Sequence, residues 1–415
     1  MKQSAMKQVI VIGGGVVGLT SAWWLLEAGF GVTLLEREPA VGSAASARNG
    51  GQLSYRYVAP LADAGVPWKA VQWLFDENGP LRFRPEADLR QWRWLASFIG
   101  HCGAGINRRT TRRLLALGQL SRQAMAQLAP QVGPDRFAWR DAGKLVVYRS
   151  ASTFAQAAAR PDAGVVLGAD ECVAREPALA AMENVLAGGI YNSGEAVADC
   201  HAFCQSLAAR LQHHPRFRGI VQADVHSLID ERGRIAGVRT TAGVLQADAY
   251  VLAAGIQSRT LAGTVGVYLP LYPLKGYSLS APIRDGDLAP ATSVTDVERK
   301  VLYARIGSEL RVAAMVDMVG EDTRLDAQRV ASLTRQARAA MPHAADYDRL
   351  VPWAGLRPAT PGGAPIVGAT PYDNLWLNVG HGPLGFTFAC GTATMLAELM
   401  QRKASPISLD GLTLR

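Results

Sequence analysis

Cysteine is scarce in this chain. Its 415 residues include five, Cys102, Cys172, Cys200, Cys204 and Cys390. So few, and an odd number, exclude the disulfide framework of a small secreted domain. Long apolar runs are also missing: none reaches about 18 residues without a glycine or a charge, which argues against a membrane-spanning helix. The apolar segment near the N-terminus is broken by Gly13–Gly15. No small-residue cleavage site follows it, so a secretion signal is not expected and the cytoplasm is the expected location. Residues before Met6 read as a short disordered extension. There is no internal repeat and no low-complexity tract. Acids are nearly absent from one region: residues 82–122 hold nine arginines against Glu86 and Asp88, a local excess of +7 in a chain whose net charge is +8. The charge question is therefore about that region, and nucleic acid is not an expected partner.

What is present describes an ordinary globular protein of two or three domains, 49% hydrophobic and 19% charged. Its most informative stretch is Gln8–Glu36. An apolar strand, Val9–Ile12, runs into Gly13-Gly14-Gly15-Val16-Val17-Gly18. A helical run, Leu19–Ala28, follows, and then a second strand, Val32–Leu35, ending at Glu36. This is a dinucleotide fingerprint in the context it requires. Gly13 permits the tight turn, Gly15 lets backbone approach a pyrophosphate, and Gly18 lets helix pack on strand. The phosphates would sit at the helix N-terminus, where free N–H groups and the dipole favour negative charge. Glu36 stands 21 residues after Gly15, where an acid takes a ribose 2′-hydroxyl, and Arg37 follows it. The motif alone leaves NAD and FAD open.

Further along, Gly42–Gln52 is a small-residue loop whose Asn49-Gly50-Gly51 offers successive N–H groups to an acceptor. Residues 66–99 are rich in Trp68, Trp73, Phe75, Trp92, Trp94 and Phe98. Helices are expected over 89–99 and 108–128, and Phe137–Tyr148 reads as strands turning at 141–143. Asp199-Cys200-His201…Cys204 gathers metal-binding residue types, but it reads as a helix start with Asp199 as N-cap, and no metal is expected. A hairpin over 223–240 precedes the strand Ala249–Leu252, which ends in Ala253-Ala254-Gly255. Strands are expected over 270–280 and 300–316, and a helix over 324–341.

A second strand-to-glycine element is not something an NAD domain needs. With Ser46–Gln52, Tyr272–Leu279 (YPLKGYSL), Trp353–Pro361 (WAGLRPATP) and Asn374–Gly385 (NLWLNVGHGPLG), it resembles the glycine oxidase/D-amino acid oxidase superfamily of FAD amine oxidoreductases. Within that superfamily the chain looks most like bacterial FAD-dependent D-amino acid dehydrogenases. One departure is Gly362, where the family usually has Asp. The resemblance implies an α/β fold in which a Rossmann-like FAD-binding domain (7–58, 165–265 and 352–415) is interleaved with an α+β substrate domain (59–164 and 266–351). It implies non-covalent FAD, since Cys390 falls inside a helix. The ADP half would lie on Gly13, Gly15, Val16, Val17, Gly18, Glu36 and Arg37, with Val225 near the adenine. Ala45, Ser46, Asn49, Gly50, Gly51, Gln52, Ala254 and Gly255 would line the flavin side. His381, Gly382, Pro383, Leu384, Gly385 and Phe386 would meet the pyrimidine edge, where a helix N-terminus stabilises negative charge on reduced flavin.

The implied reaction is oxidative deamination of small D-amino acids, with hydride passing from Cα to flavin N5 and electrons going on to a quinone or another carrier. Arg357 matches the superfamily position that holds the substrate carboxylate. Tyr303, Tyr277 and Tyr272 could bind that carboxylate or wall the pocket, or serve as ordinary strand tyrosines. Alternatives within the class are a D-proline or cis-4-hydroxy-D-proline dehydrogenase and a sarcosine/glycine-type oxidase. A different class would be a non-catalytic flavin-binding electron-transfer subunit or sensor. The stretch 66–122 suits either peripheral contact with the inner face of an anionic membrane or a core of Trp residues under a solvated arginine face.

Overall fold

The computed structural model describes residues 6–414 apart from 75, 77 and 78. The N-terminal extension and Phe75 therefore lie outside the described residues. The fingerprint strands are apolar on both faces, as strands of a parallel sheet covered by helices must be. Gln8–Ile12 sits between Ala249–Leu252 and Gly31–Glu36, parallel to both. The full six-stranded sheet runs 366–369, 375–379, 249–252, 8–12, 31–36, 217–222. Its only antiparallel pair is the edge pair 366–369 with 375–379. One face packs on the helices Val16–Glu27, Cys200–Gln212 and Gly385–Met400. The other packs on a small antiparallel sheet of 225–231, 234–240 and 243–245.

The second sheet has nine strands, in the order 351–359, 272–282, 309–318, 301–306, 293–296, 144–148, 188–192, 165–167, with 81–83 beside 309–318. Its outer face is closed by the helix Ala327–Ala340 and the turn Pro177–Val185 around Tyr277, Leu279, Val294, Tyr303, Val312 and Leu333. Its inner face meets the loop 48–54. Two expected boundaries move. Strands 165–167 and 188–192, assigned to the second piece of the FAD-binding domain, belong to the nine-stranded sheet, as does 351–359, assigned to the third. Strand periodicity reports which face is buried, not which sheet supplies the neighbours.

The helix Ala104–Val132 also changes company. Expected in the substrate half, it packs Leu114, Leu117, Met125 and Leu128 into the core of the dinucleotide half. Contact with Gly385–Met400 is close because Gly391 lacks a side chain: a Cβ there would lie 2.8 Å from that of Ser121. The region 137–148 is not a hairpin. A short turn, Pro134–Phe137, leads through a bridge at Arg140–Val197 into one strand, Lys144–Tyr148. Asp199 caps its helix by accepting the Ala202 N–H at 2.9 Å, and Cys200 and Cys204 face the core.

Candidate functional site

The fingerprint glycines divide their roles as their spacing predicts. Gly13 has φ +110° and lies against the end of strand 249–252: a Cβ there would sit 2.6 Å from the Ala253 carbonyl oxygen. A Cβ on Gly18 would fall 1.7 Å from the Gly13 oxygen, so helix and turn touch backbone to backbone. A Cβ on Gly15 would meet only the Ser46 hydroxyl, at 3.6 Å. The turn is thus closed at two glycines and open at the one where a pyrophosphate must approach. Gly15 caps the helix without a side-chain hydrogen bond, and Val16 N–H reaches only the Ser46 hydroxyl, at 3.2 Å. These features fit a dinucleotide, with phosphate accepting from the first helical turn. Val17 stands half-buried in that turn.

Glu36 Oε2 accepts the Gly14 N–H at 2.7 Å and Oε1 accepts the Glu38 N–H at 2.9 Å. The carboxylate is therefore fixed at the glycine turn, where a ribose would lie. Arg37 instead turns to Glu38, at 3.3 Å. Ala223 N–H donates to the Glu36 carbonyl at 2.8 Å, which brings the entry to strand 225–231, and Val225 with it, close to the end of strand 31–36. Ala254 and Gly255 continue from strand 249–252 beneath the turn, with Gly255 at φ +57°.

The loop 42–54 bridges the two halves. Ala45 is exposed and Ser46 buried. Arg311 donates to the Asn49 carbonyl at 2.8 Å, and the Asn49 side chain accepts the Gly51 N–H at 3.0 Å. A Cβ on Gly50 would touch Leu302 at 3.0 Å, and one on Gly51, at φ +71°, would strike Ile306 at 2.2 Å. Loop and inner sheet face leave no room for side chains at either glycine. Thr387, in the first turn of Gly385–Met400, ties in the same loop by accepting the Ser54 N–H at 3.2 Å and donating to the Gln52 carbonyl at 3.4 Å. The N-terminus of that helix, reached through the short turn Gly382-Pro383-Leu384, carries no side-chain cap. Phe386 is buried behind it. His381 points its ring into the helix, with Nε2 3.0 Å from the Thr392 hydroxyl. Burial pushes its imidazole down to about 3, so it stays neutral. Any stabilisation of negative charge at this edge therefore comes from peptide N–H groups.

Arg357 lies on the inner face. Its strand pairs with 272–282 so that Gly276 faces Gly355, two glycines abreast. The side chains of neighbouring residues fold across this bare patch. A Cβ on Gly276 would be 2.1 Å from Arg357 Nη2, and one on Gly355 would be 1.9 Å from the Trp353 ring. The guanidinium is held by two carbonyls, Met315 at 2.7 Å and Ala314 at 3.5 Å. No carboxylate of the protein pairs with it among the described residues. Burial lowers its pKa to about 10, partly offset by Asp317. An arginine fixed by neutral carbonyls, in a trough of glycine floored by indole, can receive a carboxylate from outside.

The three tyrosines do not join it. Tyr277 and Tyr303 lie on the opposite face, in the core under Ala327–Ala340; strand 301–306 presents Leu302 and Ile306 to the loop. Side chains alternate along a strand, so one position's difference in register decides the face. Tyr272 has the right face, but its hydroxyl is committed to Gln91 at 2.8 Å, Gly320 N–H at 3.1 Å and Glu86 at 3.2 Å. The sequence reading also missed inner-face residues. Ser278 donates to the Arg48 carbonyl at 3.0 Å. Lys144 is 2% exposed and reaches Gln52 Oε1 at 2.5 Å and the Ser54 hydroxyl at 3.0 Å. Counting in twos from Gly276 finds Ser278, whereas Lys144 has no local signal.

The region 66–122 divides into buried and exposed aromatic residues. Trp94 is core and donates to the Ala359 carbonyl at 2.9 Å. Trp68, by contrast, is 80% exposed, and Leu89, Trp92 and Ile99 are exposed with it. Arg82, Arg84 and Arg90 pair with acids. No helix among the described residues is long and apolar enough to cross a membrane.

Comparison with known proteins identifies the family. The chain is 49% identical over 409 residues to D-amino acid dehydrogenase 2 of Pseudomonas aeruginosa, covering 98% of each chain. It is 47% identical over 417 residues to the protein of the same name from Ralstonia nicotianae, covering 97% of this chain and 98% of that one. Among solved structures, glycine oxidase from Geobacillus kaustophilus superposes with a TM-score of 0.74 at 22% identity, over 99% of both chains. The L-proline dehydrogenase of P. horikoshii gives 0.75 at 16% identity, over 98% of this chain and 96% of that one. These two share the fold. The model of the FAD dependent oxidoreductase family matches residues 8–399. With the glycine turn, the acid after the second strand and the uncapped helix end all in place, the chain belongs to the family of FAD dependent oxidoreductases.

Proposed function

We propose that this protein oxidatively deaminates small D-amino acids, giving a 2-oxo acid and ammonia, and passes the electrons to a quinone or another carrier. The observation that carries this reading is the Arg357 guanidinium, held over Gly276 by backbone carbonyls alone. The names of the 49% and 47% identical relatives support the same substrate class. Bound FAD supplies the acceptor for the two electrons and hydrogen lost from Cα. The protein's own part is to bind and orient. Arg357 takes both carboxylate oxygens in a fork that fixes the direction of the Cα–H bond. Trp353, lying across Gly355 beside it, gives the substrate side chain an apolar wall.

The test is anaerobic mixing of the FAD-loaded protein with a panel of D- and L-amino acids, sarcosine and glycine, followed at the flavin absorbance. Bleaching by D-amino acids is expected; a flavin left oxidised by all of them would refute the proposal and favour a subunit or sensor without its own substrate. Repeating the turnover with oxygen, with a dye and with a soluble quinone identifies the acceptor. The exposed Trp68, Leu89, Trp92 and Ile99, with the exposed Arg93, Arg108, Arg109 and Arg112 of the same stretch of chain, are the residues through which a membrane carrier would be met. Flotation with anionic vesicles at low salt should carry the protein and W68A should weaken it; no flotation removes the membrane contact.

A further inference from the structure

The inner face of the nine-stranded sheet carries Arg357, yet what fixes that arginine comes from the outer face. Strands 272–282 and 309–318 slip register between Lys275–Asp317 and Tyr277–Ala314, so Met315 and Val316 together stand opposite Gly276. This is a β-bulge, and bulges re-aim groups beside sites. Met315 takes φ +67° there, a left-handed conformation that a side chain adopts only where its surroundings over-determine it. One consequence is that the Ala314 and Met315 carbonyls turn to the Arg357 guanidinium. Beside it, the Val316 N–H joins strand 309–318 to strand 81–83 by donating to the Pro80 carbonyl at 2.7 Å.

Directly after the bulge comes Asp317, 1% exposed, paired at 2.6 Å with Arg329, 2% exposed. The Tyr277 hydroxyl donates to the other carboxylate oxygen at 3.1 Å. Burial and the Asp317 charge raise the pKa of that hydroxyl, so it remains a donor. Arg329 also donates to the Gly79 carbonyl at 2.7 Å and to Pro80 at 3.4 Å, the residue that takes Val316 N–H. Asp317, Arg329, Tyr277 and the 79–80 turn thus close on the bulge from behind. A buried ion pair of this kind is weak evidence for stability, because desolvation offsets the attraction; register is its better-attested use.

We propose that Asp317 and Arg329, with the Tyr277 hydroxyl, are positioning residues for substrate binding: they hold the bulge at Met315 in the register that aims its carbonyls at Arg357. The idea rests on Arg357 being the carboxylate partner, and the experiment separates the two. FAD-loaded wild type, R357A, D317N, R329K, R329M and Y277F are mixed anaerobically with D-alanine. Flavin reduction then gives a half-saturating concentration and a limiting rate for each variant. Propionate titrated against the flavin spectrum reads carboxylate binding alone, and thermal melts with flavin content read the fold. D317N and R329M should weaken D-alanine and propionate binding by roughly ten- to a hundredfold while the limiting rate stays within about threefold. Y277F should weaken it by roughly three- to tenfold, and R329K, which keeps the charge, should stay near wild type. If R357A binds propionate normally, the carboxylate assignment fails. If R357A loses binding while D317N, R329M and Y277F keep wild-type affinity, the positioning role is overturned. Should D317N and R329M fail to fold, Y277F decides: unchanged affinity overturns the proposal and selective weakening supports it.

Discussion

Replacing Gly276 by alanine tests the site with a single methyl group. The new Cβ would lie 2.1 Å from Arg357 Nη2, 2.2 Å from Cζ and 2.5 Å from Nη1. Non-bonded carbon contacts settle near about 3.5–4.0 Å, so the guanidinium has to retreat by more than about 1 Å. The Met315 and Ala314 hydrogen bonds, at 2.7 and 3.5 Å, are then lost or stretched; bonds to a charged group of this kind contribute about 1.5–3 kcal/mol each. The backbone has no objection, since Gly276 lies in a strand outside the left-handed region, and alanine reduces the entropy of the unfolded chain. The clash is with the far end of a flexible side chain, so the fold yields there alone. We expect G276A to keep its flavin and its melting temperature while the half-saturating D-amino acid concentration rises about ten- to a hundredfold, or about 1.4–2.8 kcal/mol. Anaerobic stopped-flow reduction measures it. In an R357A background the same methyl should add nothing. A G276A enzyme with wild-type affinity, or one equally impaired with Arg357 already removed, would refute the reasoning.

Gly18→Ala should abolish flavin retention, because its Cβ would fall 1.7 Å from the Gly13 backbone oxygen, which cannot move aside; the absorbance ratio of purified protein reads this, and stoichiometric flavin would contradict it. Lys144 gives a pH signature. Burial pushes it down to about 8, below the 10.5 of the unfolded chain, so the unfolded state binds more protons between these values and stability rises with pH across that window. Relative to K144M, denaturant unfolding should show the wild type gaining about 1.6 kcal/mol between pH 8 and 9.5; a pH-independent difference would exclude the assignment. Tyr303→Phe, on the outer face and 1% exposed, should leave the KM for D-amino acids within about twofold, and a tenfold rise would return that tyrosine to the site.

The cofactor half of this protein was legible because its signal is local. Strand, glycine turn, helix, strand and acid occupy 29 consecutive residues, Gln8–Glu36, and each glycine's role follows from its place in the motif. Asp199 as a helix cap and the uncapped start at Gly385 were readable for the same reason. In the substrate half, Arg357 was singled out only through the resemblance of its motif, and its role as carboxylate partner remains the proposal made above. Tyr277 and Tyr303 were candidates on type and position, but the face of a strand depends on a parity that one bulge or one residue reverses. The buried Lys144, the bulge at Met315 and the Asp317–Arg329 pair have no local mark at all. Each depends on residues brought together across the sheet, as Lys144 is with Gln52, 92 positions away in the chain. The sequence by itself determined the cofactor class and the glycine turn that marks it. Only the tertiary structure decided which side chains share the inner face of the second sheet, because that choice is made by register between strands rather than by any strand alone.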